Sequence, residues 1–358
     1  ARGAGSDLVT GGNKLTSSAG SASTLDLRAG RSIDIAGGSD ITNDQGHALN
    51  VTLNANRNDN DTGAVDLPGI NITTNGGDLT IGGGSDPALK AAWGTANHKE
   101  GVHLDGTRIN TGGGDVSITG HGRDNWNDND QHGIFMRNAA QITSSSGAIT
   151  LDGTGGAGDS VNAGIYLEDD NNAGNGKIRI ESGAGDIALT GRGGSNGQTG
   201  SNANWGVRVT SGSVVESTGS GDNAGTITID GTGGAGDSGN QGFRIDNSGS
   251  FIRSQAGAVN ITGQGGSNGQ TGSDDNYGVY VHNSATVTST GDNADAATIT
   301  IDGTGGAGDS GNQGVRVSDS GAKIISQYGD IEITGQGGSN GRTGSNENHG
   351  IFVNKARI

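Results

Sequence analysis

Apolar and polar residues alternate along nearly the whole chain, in short runs that stop and restart. One stretch carries ITID (227–230), GFRI (242–245) and SFIRS (250–254), and the next carries VNIT (259–262), GVYV (278–281) and ATVTS (285–289). Period-two alternation predicts half-buried strands, and no segment sustains the 3.6-residue apolar period of an amphipathic helix. The runs come in threes, separated by Gly, Asn, Asp and Ser clusters that punctuate turns. Each triplet therefore predicts one triangular coil of three strands, with Gly and Asn supplying positive φ at the corners.

Following the triplet along the chain places first strands at Leu25–Leu27, Val51–Leu53, Leu79–Ile81, Val116–Ile118, Ile149–Leu151, Ile187–Leu189, Ile227–Ile229, Val259–Ile261, Ile299–Ile301 and Ile331–Ile333. These ten coils are spaced by 26 to 40 residues, and the extra length is expected mainly in the turn after the first strand. The expected fold is all-β, a right-handed parallel β-helix (β-solenoid), since parallel crossovers are almost always right-handed. At about 4.8 Å between strands, ten coils make a rod of roughly 45–50 Å.

Internal repetition sharpens this picture. TITIDGTGGAGDSGNQG occupies 226–242 and returns unchanged at 298–314, 72 residues on, and GGSNG turns follow Gly191, Gly263 and Gly335 at the same step. The chain reads as one solenoid segment, with diverged coils over 1–147 and near-exact two-coil repeats over 148–358.

Composition narrows the core. With 74 Gly among 358 residues, 29% hydrophobics, 3% aromatics and two Pro, there are too few large side chains for a wide interior. A slender core remains, in which each strand supplies about two inward aliphatics and neighbouring coils complete their burial. Low hydrophobicity and a net charge of −17 are also marks of disorder, but disordered chains lack sustained alternation. That charge opposes binding to nucleic acid or anionic lipid. No apolar stretch suits a membrane-spanning helix, and the lack of Cys excludes disulfides and thiolate chemistry.

Four segments share a phrasing: TLDLRAGRSIDI (24–35), ALNVTLNA (48–55), INITTNGGDLTIGGG (70–84) and GVHLDGTRINTGGGDVSITG (101–120). This resembles the repeat region of filamentous-haemagglutinin-like exoproteins, adhesins secreted by two-partner secretion. The likeness covers nearly the whole chain and is strongest over 24–120, the Gly-rich turns from about 152 onward being an elaboration. It implies export, folding outside the cell, and a structural, non-catalytic shaft on the surface of a Gram-negative-type bacterium. The family's secretion domain is not evident. Ala356-Arg357-Ile358 reads as the last strand of coil ten, so continuation beyond both ends or end-to-end self-association is expected.

Candidate chemistry is sparse. The outward residues of successive second strands are His103, Phe135, Tyr166, Arg208, Arg244, Tyr280, Arg316 and Phe352, all aromatic or cationic. They predict either an exposed ladder that binds surface glycans or an internal stack of cross-strand and cation–π pairs. The GTGGAGDSGNQG turns approach the calcium-binding GGxGxD nonapeptide with the acid one place early. Calcium at Asp152, Asp159, Asp230, Asp237, Asp302 and Asp309 is the candidate, against solvated Asx turns. A polysaccharide-degrading enzyme ranks third: His121 and Asp169-Asp170 fall on different corners, whereas glycoside hydrolysis needs two carboxylates facing one bond. The Gly-rich turns lack the Lys-Ser/Thr of a phosphate loop, and an outward Thr row (Thr52, Thr80, Thr150, Thr228, Thr300) is broken by Ala188, Asn260 and Glu332. Beyond the calcium candidate, no cofactor is expected.

Overall fold

The structure, a computed structural model, describes residues 6–169, 177–194, 201–266, 273–292, 297–338 and 346–358, without the side chain of 222. Three parallel sheets run side by side, and the chain visits them in turn. Sheet 1 contains all ten predicted first strands, from Ser23–Arg28 to Ile331–Gln336. Sheet 2 has eleven strands, Leu8–Thr10 to Ile351–Asn354, and sheet 3 has ten, Leu15–Ser17 to Lys323–Ser326. Leu8–Thr10 and Leu15–Ser17 thus precede the first predicted coil, as the second and third strands of a coil the triplet search did not reach. The fold is a parallel β-solenoid of triangular coils. Among the described residues the only helical element is the 3-10 turn Gly221–Asn223, and no helix is long and apolar enough to cross a membrane.

Register explains how so few large residues make a core. Ile149, Ile187, Ile227, Val259, Ile299 and Ile331 sit opposite one another on sheet 1, as do Val207, Phe243, Val279, Val315 and Ile351 on sheet 2. Each inward aliphatic is covered by its equivalents above and below, so Ile227, Ile229, Val279 and Val281 are fully buried. Such burial contributes about 1.5–3 kcal/mol per side chain. Leu25, Leu27, Ile331 and Ile333, near the two ends of the stack, remain partly exposed.

The turns add detail to two expectations. Extra length also enters between third and first strands, where nine residues lie between Ser217 and Ile227 but four between Ser254 and Val259. Positive φ is supplied by corner glycines such as Gly212, Gly249 and Gly321 and by Gly239 and Gly311 of the repeated turn, whereas Gly231 and Gly242 serve close approach. A Cβ on Gly231 would sit 2.2 Å from the Gly242 carbonyl oxygen, and one on Gly242 2.3 Å from the Gln264 nitrogen. The segment returning from sheet 1 to sheet 2 can therefore lie directly against the strands.

Candidate functional site

Sheet 2 places the predicted ladder in one column, as its period required. The column starts earlier than expected, running Val9, Asp34, Asp66, His103, Phe135, Tyr166, Arg208, Arg244, Tyr280, Arg316, Phe352. It is not an exposed ladder: Phe135, Tyr166 and Tyr280 are only 9%, 5% and 7% exposed. The returning segments lie over it and insert His132, Trp205 and Tyr277. Phe135, Tyr166, Trp205 and Ala163 form a second apolar cluster, with His132 4.9 Å from Phe135 and 5.0 Å from Tyr166. The Arg208 guanidinium lies 4.2 Å from the Trp205 ring and 5.2 Å from Tyr166, and Arg316 lies 5.0 Å from Tyr277 and 5.2 Å from Phe352. The internal stack is the arrangement observed at Phe135, Tyr166 and Tyr280, which the Gly-lined return path covers, while His103, Arg208, Arg244, Arg316 and Phe352 stay partly exposed at its rim.

The positive charge inside this layer is answered at Asp246. Its carboxylate accepts from Arg244 at 2.7 Å, Arg208 at 3.2 Å and Thr210 at 2.8 Å. Burial works to raise the carboxyl, but the two guanidiniums outweigh it and hold Asp246 below the usual carboxylate range.

An asparagine ladder borders the layer. The Asn204 N–H donates to Asn240 Oδ1 (3.0 Å), Asn240 N–H to Asn276 Oδ1 (2.9 Å), Asn276 N–H to Asn312 Oδ1 (3.0 Å) and Asn312 N–H to Asn348 Oδ1 (2.8 Å). Asn162, Asn204, Asn240, Asn276 and Asn312 are fully buried. Each amide satisfies a backbone donor that the return segment takes out of water. The signal was available as Asn at 36-residue steps from 204 to 348, always two residues before the Gly that opens the second strand.

The calcium candidates do not converge. On sheet 1 Asp152, Asp230 and Asp302 alternate with Thr190 and Thr262, which separates them by two strand spacings, roughly 10 Å. In the turns, the backbone N–H groups of Asp159, Asp237 and Asp309 donate to the carbonyls of Asp128, Ser201 and Ser273. The enzyme fragments stay apart too: His121 stacks on Trp93 on sheet 1, Asp169 is buried beyond the second strand, and Asp170 lies outside the described residues. The SNGQTG turns at 195–200 and 267–272, and their counterpart at 339–345, also lie outside them.

The feature that departs from the repeat is the insertion over 84–101, between the strands Leu79–Gly83 and Val102–Asp105. Ala92–Trp93 adds a short strand beside Val116–His121, pairing Ala92 with Gly120 and Trp93 with His121. The Trp93 and His121 rings stack at 3.6 Å. Trp93 lines two open clefts of about 280 and 290 Å³, the first shared with Asp59, Lys90, Asp152 and Arg192, the second with Asp61, Arg123 and Asp124.

Five residues on, the insertion turns back over the start of the sheet 2 column. The His98 N–H donates to Thr95 Oγ1 (3.1 Å), a local turn that orients the side chain. The imidazole enters between two carboxylates, with Nε2 3.3 Å from Asp34 Oδ1 and Nδ1 3.7 Å from Asp66 Oδ2. Among the described residues Asp34, Asp66 and His98 are the one group of three His, Asp or Glu whose donor atoms all lie within 4.8 Å of one another. His103 Nδ1 contacts Asp66 Oδ1 at 2.8 Å. Burial pushes the Asp34 carboxyl up. At His103 burial works to lower the imidazole, but the hydrogen bond to Asp66 and the surrounding carboxylates outweigh it and the net shift is upward. Asp34 Oδ1 and His103 Nε2 are buried without a hydrogen-bond partner. The sequence reading missed this group, since coil length aligns Asp34 with Asp66 and the path of the 84–101 insertion brings His98 to them.

Compared with family models, with curated proteins and with solved structures, the chain matches none.

Proposed function

We propose that this chain is a non-catalytic structural shaft of a secreted bacterial surface adhesin or extracellular fibre, of the filamentous-haemagglutinin-like, two-partner-secretion kind. The observation that carries the reading is the uniform stack: three sheets in continuous register, a core that no coil completes alone, and an asparagine ladder passing hydrogen bonds from coil to coil. Such a design gains length by adding coils, each contributing about 4.8 Å. The Cys-free, acidic composition and the likeness over residues 24–120 support an extracellular address. The test is protease treatment of intact cells making the native protein. Loss of the epitope supports surface exposure, whereas cleavage only after lysis overturns it. Release of reducing or unsaturated sugar ends from polysaccharide substrates overturns the non-catalytic part.

A second reading, carbohydrate binding, is favoured by one observation, the partly exposed Trp93 between two clefts lined by carboxylates and guanidiniums. Aromatic faces with polar groups at their rim suit sugar rings. On this reading glycan-array binding disappears in Trp93→Ala and survives Tyr280→Ser. Retention in Trp93→Ala removes it.

A further inference from the structure

We propose that Asp34, Asp66 and His98 bind one divalent first-row transition-metal ion, with His103 positioning Asp66 from behind. Asp34 and Asp66 are direct neighbours in the sheet 2 register, so two carboxylates stand side by side at the strand spacing, about 4.8 Å. The third donor arrives from a different part of the chain, on the 84–101 insertion, and is held by the Thr95 turn. One imidazole gives a single nitrogen to an ion, and one donor atom from each of Asp34, Asp66 and His98 lies within 4.8 Å of the other two, so a modest rotation of these side chains closes bonds of about 2.0–2.2 Å around one ion.

Two further observations point to a ligand rather than to an ion pair alone. His98 Nε2 is close to Asp34 Oδ1 but not aligned for a hydrogen bond, so that buried oxygen has an ion-pair contact and no hydrogen-bond donor. His103 orients Asp66 through Nδ1, the outer-shell arrangement that fixes a ligating carboxylate. The donor set of two carboxylates and one imidazole selects the ion. Calcium requires six to eight oxygens and magnesium keeps most of its water, whereas imidazole with carboxylate suits Zn²⁺ or Mn²⁺, with Zn²⁺ the tighter in the usual affinity order. Bound there, the ion fastens the insertion across two neighbouring coils. Trp93 lies on the same insertion, so the ion also steadies the wall between the two clefts.

The test is titration of the chelator-stripped full chain with ZnCl₂ and MnCl₂, read by calorimetry and by metal content after desalting, with MgCl₂ and CaCl₂ in parallel. The expected result is one equivalent of Zn²⁺ with Mn²⁺ weaker, abolished by Asp66→Asn and by His98→Gln, and weakened about 10-fold or more by His103→Gln. Asp159→Asn should bind as the parent does. Variants are compared after circular dichroism confirms the β spectrum, and either ligand variant that folds suffices. Absence of Zn²⁺ and Mn²⁺ binding overturns the proposal and leaves an imidazolium bridging two carboxylates. Stoichiometric binding that survives both ligand variants, or preference for Ca²⁺ or Mg²⁺, overturns it as well.

Discussion

Replacing Asn240 by alanine tests whether the asparagine ladder holds the covering layer in place. Asn240 Oδ1 accepts the Asn204 N–H at 3.0 Å, and its Nδ2 donates to Asn276 Oδ1 at 3.1 Å. The Asn240→Ala change removes both bonds but leaves the backbone N–H of position 240, which donates to Asn276 Oδ1 at 2.9 Å, where it is. Asn276 Oδ1 therefore stays satisfied, while the fully buried Asn204 loses the acceptor for its N–H. An orphaned buried donor costs about 1–3 kcal/mol and the second bond about 1 kcal/mol, so the expected loss is roughly 2–4 kcal/mol. Asn240→Asp sharpens the test. Its carboxylate still accepts from Asn204 but faces Asn276 Oδ1 with no proton to donate, so it should be the worse variant at neutral pH and recover as acid protonates it. Asn260→Thr, on the outer face of sheet 1 between Thr228 and Thr300, is the control and should change stability by less than about 0.5 kcal/mol. Urea unfolding followed by circular dichroism gives the stability, and hydrogen exchange at the Asn204 amide reads the lost bond directly. Equal stability of Asn240→Ala and Asn260→Thr, with unchanged protection at Asn204, would refute the ladder's role.

Other outcomes follow from the same geometry. Val279→Asp should cost more than Tyr280→Ser, because it places an unpaired charge in the core. Tyr280→Ser should itself cost about 3 kcal/mol, since that ring is 7% exposed beneath the return segment, and a neutral Tyr280→Ser by urea unfolding would mean the column is open. Asp246→Ala should destabilise by about 3–5 kcal/mol, leaving Arg208 and Arg244 without their carboxylate; a smaller loss than in Asp152→Ala, whose pair with Arg192 is exposed, would contradict this. The His132 imidazole is pushed down by burial to about 3 from its ordinary 6.5. The unfolded chain takes up that proton first, so the stability is complete above pH 6.5 and lost as pH falls toward 3, by about 2 kcal/mol at pH 5. His132→Gln should remove that part of the acid sensitivity, and an unchanged pH profile would contradict it. Finally, the strand edges of Ile351–Asn354, with Ile351 44% and Val353 45% exposed, lead us to expect end-to-end association of the 358-residue segment. Sedimentation showing a monomer at every concentration would exclude it.

Much of the architecture was legible because its signals are local. Alternation at period two marks a strand within four residues, and Gly, Asn and Asp mark a corner within three, so the ten first strands and the identity of the inward residues could be read without any distant contact. The half coil at Leu8–Thr10 and Leu15–Ser17 escaped only because the triplet was keyed to its first strand. The outward column on sheet 2 was also placed correctly from His103 to Phe352. Its surroundings were not, because an outward residue looks the same in sequence whether solvent or another segment covers it.

By itself, then, the sequence determined the repeat, the number and order of most strands, the solenoid class and the slender aliphatic core, since each of these depends on residues a few places apart. Tertiary structure alone decided the rest. It folded the return segment over Phe135, Tyr166 and Tyr280, which required the backbone-to-backbone approach that Gly231 and Gly242 permit. It also carried His98 back between Asp34 and Asp66 and set Trp93 beside His121. These meetings depend on coil length and on the path of one insertion, and no periodic signal along the chain encodes either.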